Sequence, residues 1–238
     1  MTPTLAELAG RLLDIQLTAE QEAQFTTYAR ELQIWNERTN LTAITGDAEI
    51  RVRHFLDSLT VARATPLTPG LRLIDVGSGA GFPGLPLAIA FPQLSVTLLE
   101  ATGKKIAFLD HMIATLGLQN VTTVNLRAEE AGQDSRHREN YDVAVARAVA
   151  RLPSLLEYLL PLTSIGGVCI AMKGRTAREE ARDSARALSV LGGQLLEIAS
   201  VQLPEVDEPH HLIVVRKVKA TPAGYPRKPG IPTRKPLV

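Results

Sequence analysis

An apolar run at 71–76 drives straight into Gly77-Ser78-Gly79-Ala80-Gly81-Phe82-Pro83-Gly84, and a helix-like run follows from Leu85. Few folds accommodate that order. Glycines let a chain turn sharply at the C-terminal end of a strand and approach a ligand closely, and the helix beyond offers unpaired N–H groups. The segment therefore predicts a nucleotide-type cofactor at the carboxyl edge of an open α/β sheet. From Gly79 it also satisfies G-x-G-x-x-G, with Glu100 21 residues further on, as in a dinucleotide site. Asp75 argues for another ligand. It ends the strand just before the first glycine, where a carboxylate would repel a pyrophosphate and tolerate a cationic or zwitterionic cofactor.

Beyond this turn, strand and helix patterns alternate, with strands at 71–76, 95–100, 121–125, 141–147 and 167–173. Helices fall between them at 85–91, 104–116, 151–160 and 178–191. That rhythm predicts parallel βαβ units. Two further strand patterns, 194–202 and 210–218, have no helix between them and predict an antiparallel pair at the sheet's edge. Ahead of the sheet, Leu5, Leu8, Leu12 and Ile15 lie on one helical face, and Thr18 to Gln21 has the form of a capping box. The helix it opens carries Phe25, Tyr28, Leu32 and Trp35 at spacings of three and four, and Val52, Phe55, Leu59 and Ala62 repeat that pattern. The aromatic stripe is expected to pack against the main domain. The chain thus divides into a helical extension at 1–66, an α/β domain at 67–219 and a basic, proline-rich tail at 220–238, packed on or extending from that domain.

The formal net charge of +1 hides a split, because residues 216–238 hold seven Lys/Arg and no acid. Five prolines in the tail predict an extended segment without helix, either a solubilising end or an arm that contacts RNA phosphates and leaves cofactor binding alone. The single cysteine, Cys169, sits inside an apolar strand pattern and is expected to be buried. Metal binding has no support, since His54, His111 and His137 are isolated and adjacent His210 and His211 would face opposite sides of a strand. No apolar run is long enough to span a membrane, and residues 1–10 lack a signal pattern, so a cytoplasmic protein is expected.

The segments Trp35-Asn36 with Asn40-Leu41-Thr42, His54-Phe55 with Asp57-Ser58-Leu59, Lys104-Lys105, Ala128-Glu129, Arg147-Ala148, Lys173-Gly174 and Tyr225-Pro226-Arg227 carry a specific resemblance. In order, they resemble the ribosomal small-subunit RNA methyltransferase G family, also called glucose-inhibited division protein B. The acidic-then-glycine turn resembles motif I of class I methyltransferases. The resemblance implies the class I S-adenosylmethionine-dependent methyltransferase fold, a Rossmann-like seven-stranded sheet with its last strand antiparallel. It implies methyl transfer from S-adenosyl-L-methionine to N7 of one guanine in 16S ribosomal RNA near the decoding site. The expected partner is that RNA within the small ribosomal subunit or an assembly intermediate, and a monomer is the default.

The same resemblance marks Gly77 as a backbone contact to the cofactor and Phe82 as an apolar wall, with Gly79 in the same turn. Glu100 ends the second strand, where a carboxylate can accept from both ribose hydroxyls. Ala128 and Glu129 follow the third strand and by resemblance lie at the adenine, Glu129 accepting from the exocyclic amine; adjacent Glu130 equally suits a helix N-terminus. Arg147 ends the fourth strand and by resemblance contacts the cofactor, although its forked donors also suit a methionine carboxylate, an RNA phosphate or a structural salt bridge. Lys173, Arg175, Arg178, Arg51, Arg53 and His54 are expected to extend a basic rim.

Guanine N7 offers an in-plane lone pair with no proton to remove, so no acid or base residue is nominated. Cytosine C5 chemistry would need a cysteine nucleophile, and Cys169 is mid-strand; exocyclic amine chemistry would suggest an Asn/Asp-Pro-Pro-Tyr-like motif where Arg147-Ala148-Val149 stands. Two other classes remain open at this point. The glycine fingerprint with Glu100 suits an NAD-dependent oxidoreductase, against which Asp75 and the terminal antiparallel pair count, and the basic tail suits a non-catalytic RNA-binding module.

Overall fold

A computed structural model describes residues 3–238. Two helices open the chain, α1 (Leu5–Leu13) and α2 (Ala19–Thr39), each on a reciprocal capping box, Thr4 with Glu7 and Thr18 with Gln21. A helical run at 47–63 follows, made of α3 (Asp47–Glu49), a π-helical stretch Ile50–Leu56, α4 (Asp57–Leu59) and a 3-10 turn Thr60–Arg63. The regular helix read from the 52–62 pattern is therefore wound wide in its first half. Such π segments recur at functional sites because they re-aim side chains, and this one turns His54 inward just ahead of Asp57, both buried.

The sheet begins with β1 (Arg72–Val76), then α5 (Gly84–Ala90), β2 (Ser95–Leu99), α6 (Gly103–Leu116), β3 (Val121–Val124), α7 (Ala128–Ala131) and β4 (Tyr141–Arg147). It continues through α8 (Leu152–Leu159), β5 (Thr163–Lys173), α9 (Ala177–Arg182), α10 (Ala185–Leu191), β6 (Gly193–Val201) and β7 (His210–Lys217). Strand order is β3-β2-β1-β4-β5-β7-β6, and β7 runs antiparallel to both its neighbours. The order reverses between β1 and β4, the switch point at which open α/β sheets bind ligands. Alternation along β1 sends Leu73 to a core shared with the N-terminal helices, α5 and α6, and Ile74 to a core beneath α8 and α10.

Three departures from the sequence pattern have local causes. The helix expected over 178–191 breaks into α9 and α10, where buried Ser184 donates its hydroxyl to the Glu180 carbonyl at 2.7 Å. Strand β5 starts at Thr163, ahead of Gly166 at φ +90°, and a register shift at Tyr141/Val143 absorbs the longer strand. The tail contains a helix after all, α11 (Ile231–Arg234), opened by Gly230 at φ +77°. Leu237 beyond it is buried in the second core.

Candidate functional site

Two cavities are lined by residues that follow the sheet's strands, Gly77 after β1 in one and Arg147 at the end of β4 in the other. Gly77 and Gly79 take left-handed φ values of +72° and +58°. A Cβ on Gly77 would lie 2.8 Å from Val149 Cγ2, whereas one on Gly79 would meet only the Gly77 carbonyl, at 3.8 Å. Gly79 therefore exposes its backbone to open space. From behind, the Tyr28 hydroxyl donates to the Ala80 carbonyl, and Asp75 Oδ2 accepts the Gly84 N–H at 2.9 Å. Asp75 is fully buried, and burial pushes its pKa up to about 7 against the pull of the Gly84 N–H. Its other oxygen has no partner. The repulsion of a pyrophosphate argued from the sequence thus has no exposed carboxylate to act through; Asp75 braces the turn from inside.

The first cavity, of about 230 Å³, is lined by Gly77, Glu100, Ala128 and Glu129 among others. Glu100 Oε2 accepts the Gly79 N–H at 3.0 Å and Oε1 accepts the Thr102 N–H at 2.8 Å. Each oxygen keeps one acceptor position. Asn125 holds the Glu100 carbonyl at 2.9 Å, so the carboxylate is fixed from both sides. Of the acidic pair, Glu130 closes α7 back on the Arg127 N–H at 2.9 Å, which leaves Glu129 to face the cavity. Glu129 Oε1 accepts the Gly230 N–H at 2.9 Å, bringing in a residue 101 positions away. Gly230, Tyr158 and Thr233 join the lining, none of which the sequence pattern had marked.

Arg147 opens on the second cavity, of about 770 Å³, together with His54, Asp57, Lys173 and His210. Its Nη1 donates to Asp57 Oδ2 at 2.9 Å and to the Arg53 carbonyl at 3.0 Å, and its Nη2 to His54 Nδ1 at 3.1 Å. Two of the five guanidinium N–H groups remain available. Asp57, almost fully buried, spends its other oxygen on His210 Nδ1 at 2.8 Å. That hydrogen bond raises the His210 pKa above the ordinary histidine value. Burial lowers the His54 pKa to about 4, with the Arg147 charge adding to it, so the ring is neutral near pH 7. Its Nδ1 lies 3.1 Å from both the Arg147 guanidinium and the Arg53 carbonyl, and its Nε2 lies 2.8 Å from Thr42 Oγ1.

Phe82 lies behind the turn, stacked between His54 at 4.4 Å and Tyr28 at 5.4 Å, with the Arg147 guanidinium 4.8 Å above it. It backs the Arg147 side and does not line the first cavity. The basic rim is thinner than the sequence suggests, because Lys173 pairs with Glu180 at 2.8 Å and Arg51 donates to the Pro3 carbonyl at 3.0 Å. Arg53, Arg175 and Arg178 stay exposed. In the tail, Arg227 wraps buried Glu157, with Nη2 at 2.6 Å from Oε2. Lys217 at the end of β7 is buried against Glu139 at 3.1 Å, so neither serves as a free cation. Asp57 stood in one of the quoted segments and could have been suspected; nothing in the spacing ties His210 to it.

A family model described as rRNA small subunit methyltransferase G matches residues 21–212. Curated relatives include a ribosomal RNA small subunit methyltransferase G of Roseiflexus castenholzii, 51% identical and covering 94% of this chain and 95% of that protein. A protein of the same name from Alkaliphilus metalliredigens is 48% identical, with 94% of each chain covered. Among solved structures, the precorrin-6y C5,15-methyltransferase of Geobacter metallireducens is similar at a TM-score of 0.51 and 15% identity, over 68% of this chain and 87% of that one. An rRNA methylase from Streptococcus thermophilus is similar at a TM-score of 0.50 and 16% identity, over 69% and 95%. At these identities the structural likeness speaks for the fold, the class I methyltransferase sheet.

Proposed function

We infer that this chain, which belongs to the rRNA small subunit methyltransferase G family, is an S-adenosylmethionine-dependent methyltransferase that modifies N7 of one guanine in 16S ribosomal RNA. The observation that carries the reading is the Glu100 carboxylate, held by the Gly79 and Thr102 N–H groups with an acceptor position spare on each oxygen. A pair of ribose hydroxyls fits such an acceptor. The open cradle at Gly79 and the acidic side chains Glu100 and Glu129 suit a nucleoside that bears a cation and no phosphate. Gly77, Gly79, Glu100, Ala128 and Glu129 would hold the cofactor, and Arg147, backed by buried Phe82, would face the target base.

When bound, S-adenosylmethionine supplies an electrophilic methyl group on a sulfonium. N7 carries its lone pair unprotonated, so the chain's own task is to orient the base and keep water out, for which alignment supplies up to about 7 to 11 kcal/mol. His54 is a poor base here, since burial and the Arg147 charge lower its pKa to about 4. Arg147 keeps two N–H groups free for an RNA phosphate, in a lining where Arg53, Arg147 and Lys173 stand against Asp57, Glu180, Asp207 and Glu208. Exposed Lys228, Arg234 and Lys235 of the tail supply further positive charge for RNA. The protein works as a monomer in the cytoplasm on the small subunit or an assembly intermediate; no helix among the described residues is long and apolar enough to cross a membrane.

The test is mass spectrometry of 16S RNA extracted from unmethylated small subunits and assembly intermediates after incubation with the purified chain and S-adenosylmethionine. One added methyl on a guanine, labile to N7-specific strand scission, is the expected result. A methyl on any other atom, or none, overturns the reading.

A further inference from the structure

We propose that residues 230–233 of the C-terminal segment form an integral wall of the cofactor cavity, so that cofactor affinity depends on anchors of that segment which never touch the cavity. The proposal rests on reading that cavity as the S-adenosylmethionine site. From composition the tail reads as a solubilising end or an arm for RNA, dispensable for the cofactor either way. Its path says otherwise.

After β7 the chain is tied down by side chains from three places. Arg138 donates to the carbonyls of Thr221 at 2.6 Å and Tyr225 at 2.8 Å, and Gln133 to that of Pro226 at 2.9 Å. A Cβ on Gly132 would come within 2.7 Å of Pro226 Cγ, so only a glycine lets the segment lie this close. The Arg227 backbone N–H and guanidinium both go to buried Glu157, which α8 carries. These contacts deliver Gly230 to Glu129, whose carboxylate takes its N–H at 2.9 Å. The short helix α11 is then held to α8 by Ser154, donating to the Pro232 carbonyl at 2.9 Å, and by Tyr158, whose hydroxyl meets Thr233 Oγ1 at 2.9 Å. Leu237 plugs the core under α8.

Gly230 and Thr233 consequently face Gly77, Glu100 and Glu129 across the cavity. The ends of β1 and β2, α7, Val149 and Tyr158 supply the rest of the lining, so losing Gly230 and Thr233 would remove the tail's share of the wall. At about 230 Å³ the space is below the ~300–1,000 Å³ usual for small-molecule sites, so the wall must settle around the cofactor as it binds. Glu129 has a double role, anchoring the segment through one oxygen while the other is free for the ligand. Ser154 and Leu237 lie outside the cavity and act only by holding α11 in place.

Two measurements on the full chain test this. Calorimetric S-adenosylmethionine affinity of the double variant Ser154→Ala/Leu237→Ala should be at least fivefold weaker than wild type, with every cavity-lining side chain unchanged. In the wild type, hydrogen exchange of the 230–235 amides should slow at saturating S-adenosylmethionine. Affinity within twofold of wild type in the double variant, or exchange at 230–235 indifferent to the cofactor, overturns the proposal. Wild type that fails to bind S-adenosylmethionine at all would instead sink the reading of the cavity, which keeps the two failures apart.

Discussion

The two cavities, one at Glu100 and one at Arg147, are built by opposite means. The first is small, and its functional carboxylates are fixed by backbone N–H groups, Glu100 by Gly79 and Thr102 and Glu129 by Gly230. The second is larger, and side chains from distant elements share partners there: Arg147 of β4, Asp57 of α4 and His210 of β7. Backbone donors cannot swing away, so the first arrangement suits one small molecule of fixed shape. A carboxylate shared by two cations can yield either of them to an incoming phosphate, so the second suits a polymer that arrives with its own charges. If the comparison is right, substitutions on the first side change cofactor affinity alone, and those on the second change RNA handling alone.

The largest expected effect is that of Gly79→Val. A branched side chain at φ +58° is strained and would fill the open cradle, so S-adenosylmethionine affinity should fall at least a hundredfold, roughly 3 kcal/mol, while RNA affinity stays within threefold. Calorimetry with each ligand decides it, and equal losses for both would erase the distinction between the cavities.

Next comes the brace behind the glycine turn. The Asp75 pKa rises from 3.8 in the unfolded chain to about 7 in the folded one. Between those values the folded chain keeps a proton that the unfolded chain has lost, so stability falls as pH rises through the window. From pH 5 to pH 8 this contributes roughly 2 to 3 kcal/mol of destabilisation. Asp75→Asn keeps an acceptor for the Gly84 N–H without the charge and should flatten the dependence in urea unfolding. A slope unchanged by the substitution would remove Asp75 as its source.

Glu100→Ala should weaken S-adenosylmethionine by about 1.5 to 3 kcal/mol, the range for hydrogen bonds to a charged group, with RNA affinity nearly unchanged. Glu100 was readable from the sequence because its job depends on local position, the end of the second strand 21 residues past Gly79. The glycine turn and the βαβ order were readable for the same reason, since strand and helix periods are local. Asp57 with Arg147, 90 positions apart, and Glu129 with Gly230, 101 apart, were not, because only the packing of finished elements creates those contacts. For the tail, composition left packed and extending alternatives open and suggested no helix; buried Glu157 and the Arg138 guanidinium, far away in the sequence, supply the partners that pack it, and α11 forms within it.

On the other side, Arg147→Lys keeps a charge but loses the fork that reaches Asp57, the Arg53 carbonyl and His54 together. Single-turnover methylation should slow about tenfold, near 1.4 kcal/mol, with S-adenosylmethionine affinity within threefold of wild type. A matching loss of cofactor affinity would move Arg147 into the first cavity and break the comparison from its second half.

The smallest expected effect tests the chemistry itself. With RNA and S-adenosylmethionine saturating, the single-turnover rate should change less than threefold between about pH 6 and 8.5, because orienting an unprotonated N7 needs no base. His54, the histidine nearest Arg147, has a pKa of about 4 and stays neutral throughout. Two groups do titrate in or near the window. His210 has a raised pKa, so its charge is present at the acidic end and lost as pH rises, and this should weaken RNA affinity without touching the saturated rate. Asp75 ionises near 7, and any inflection it causes must vanish in Asp75→Asn. A rate that still climbs tenfold with pH in Asp75→Asn, under saturating RNA, would mean that one of the second cavity's side chains removes a proton, and orientation alone could no longer account for the transfer.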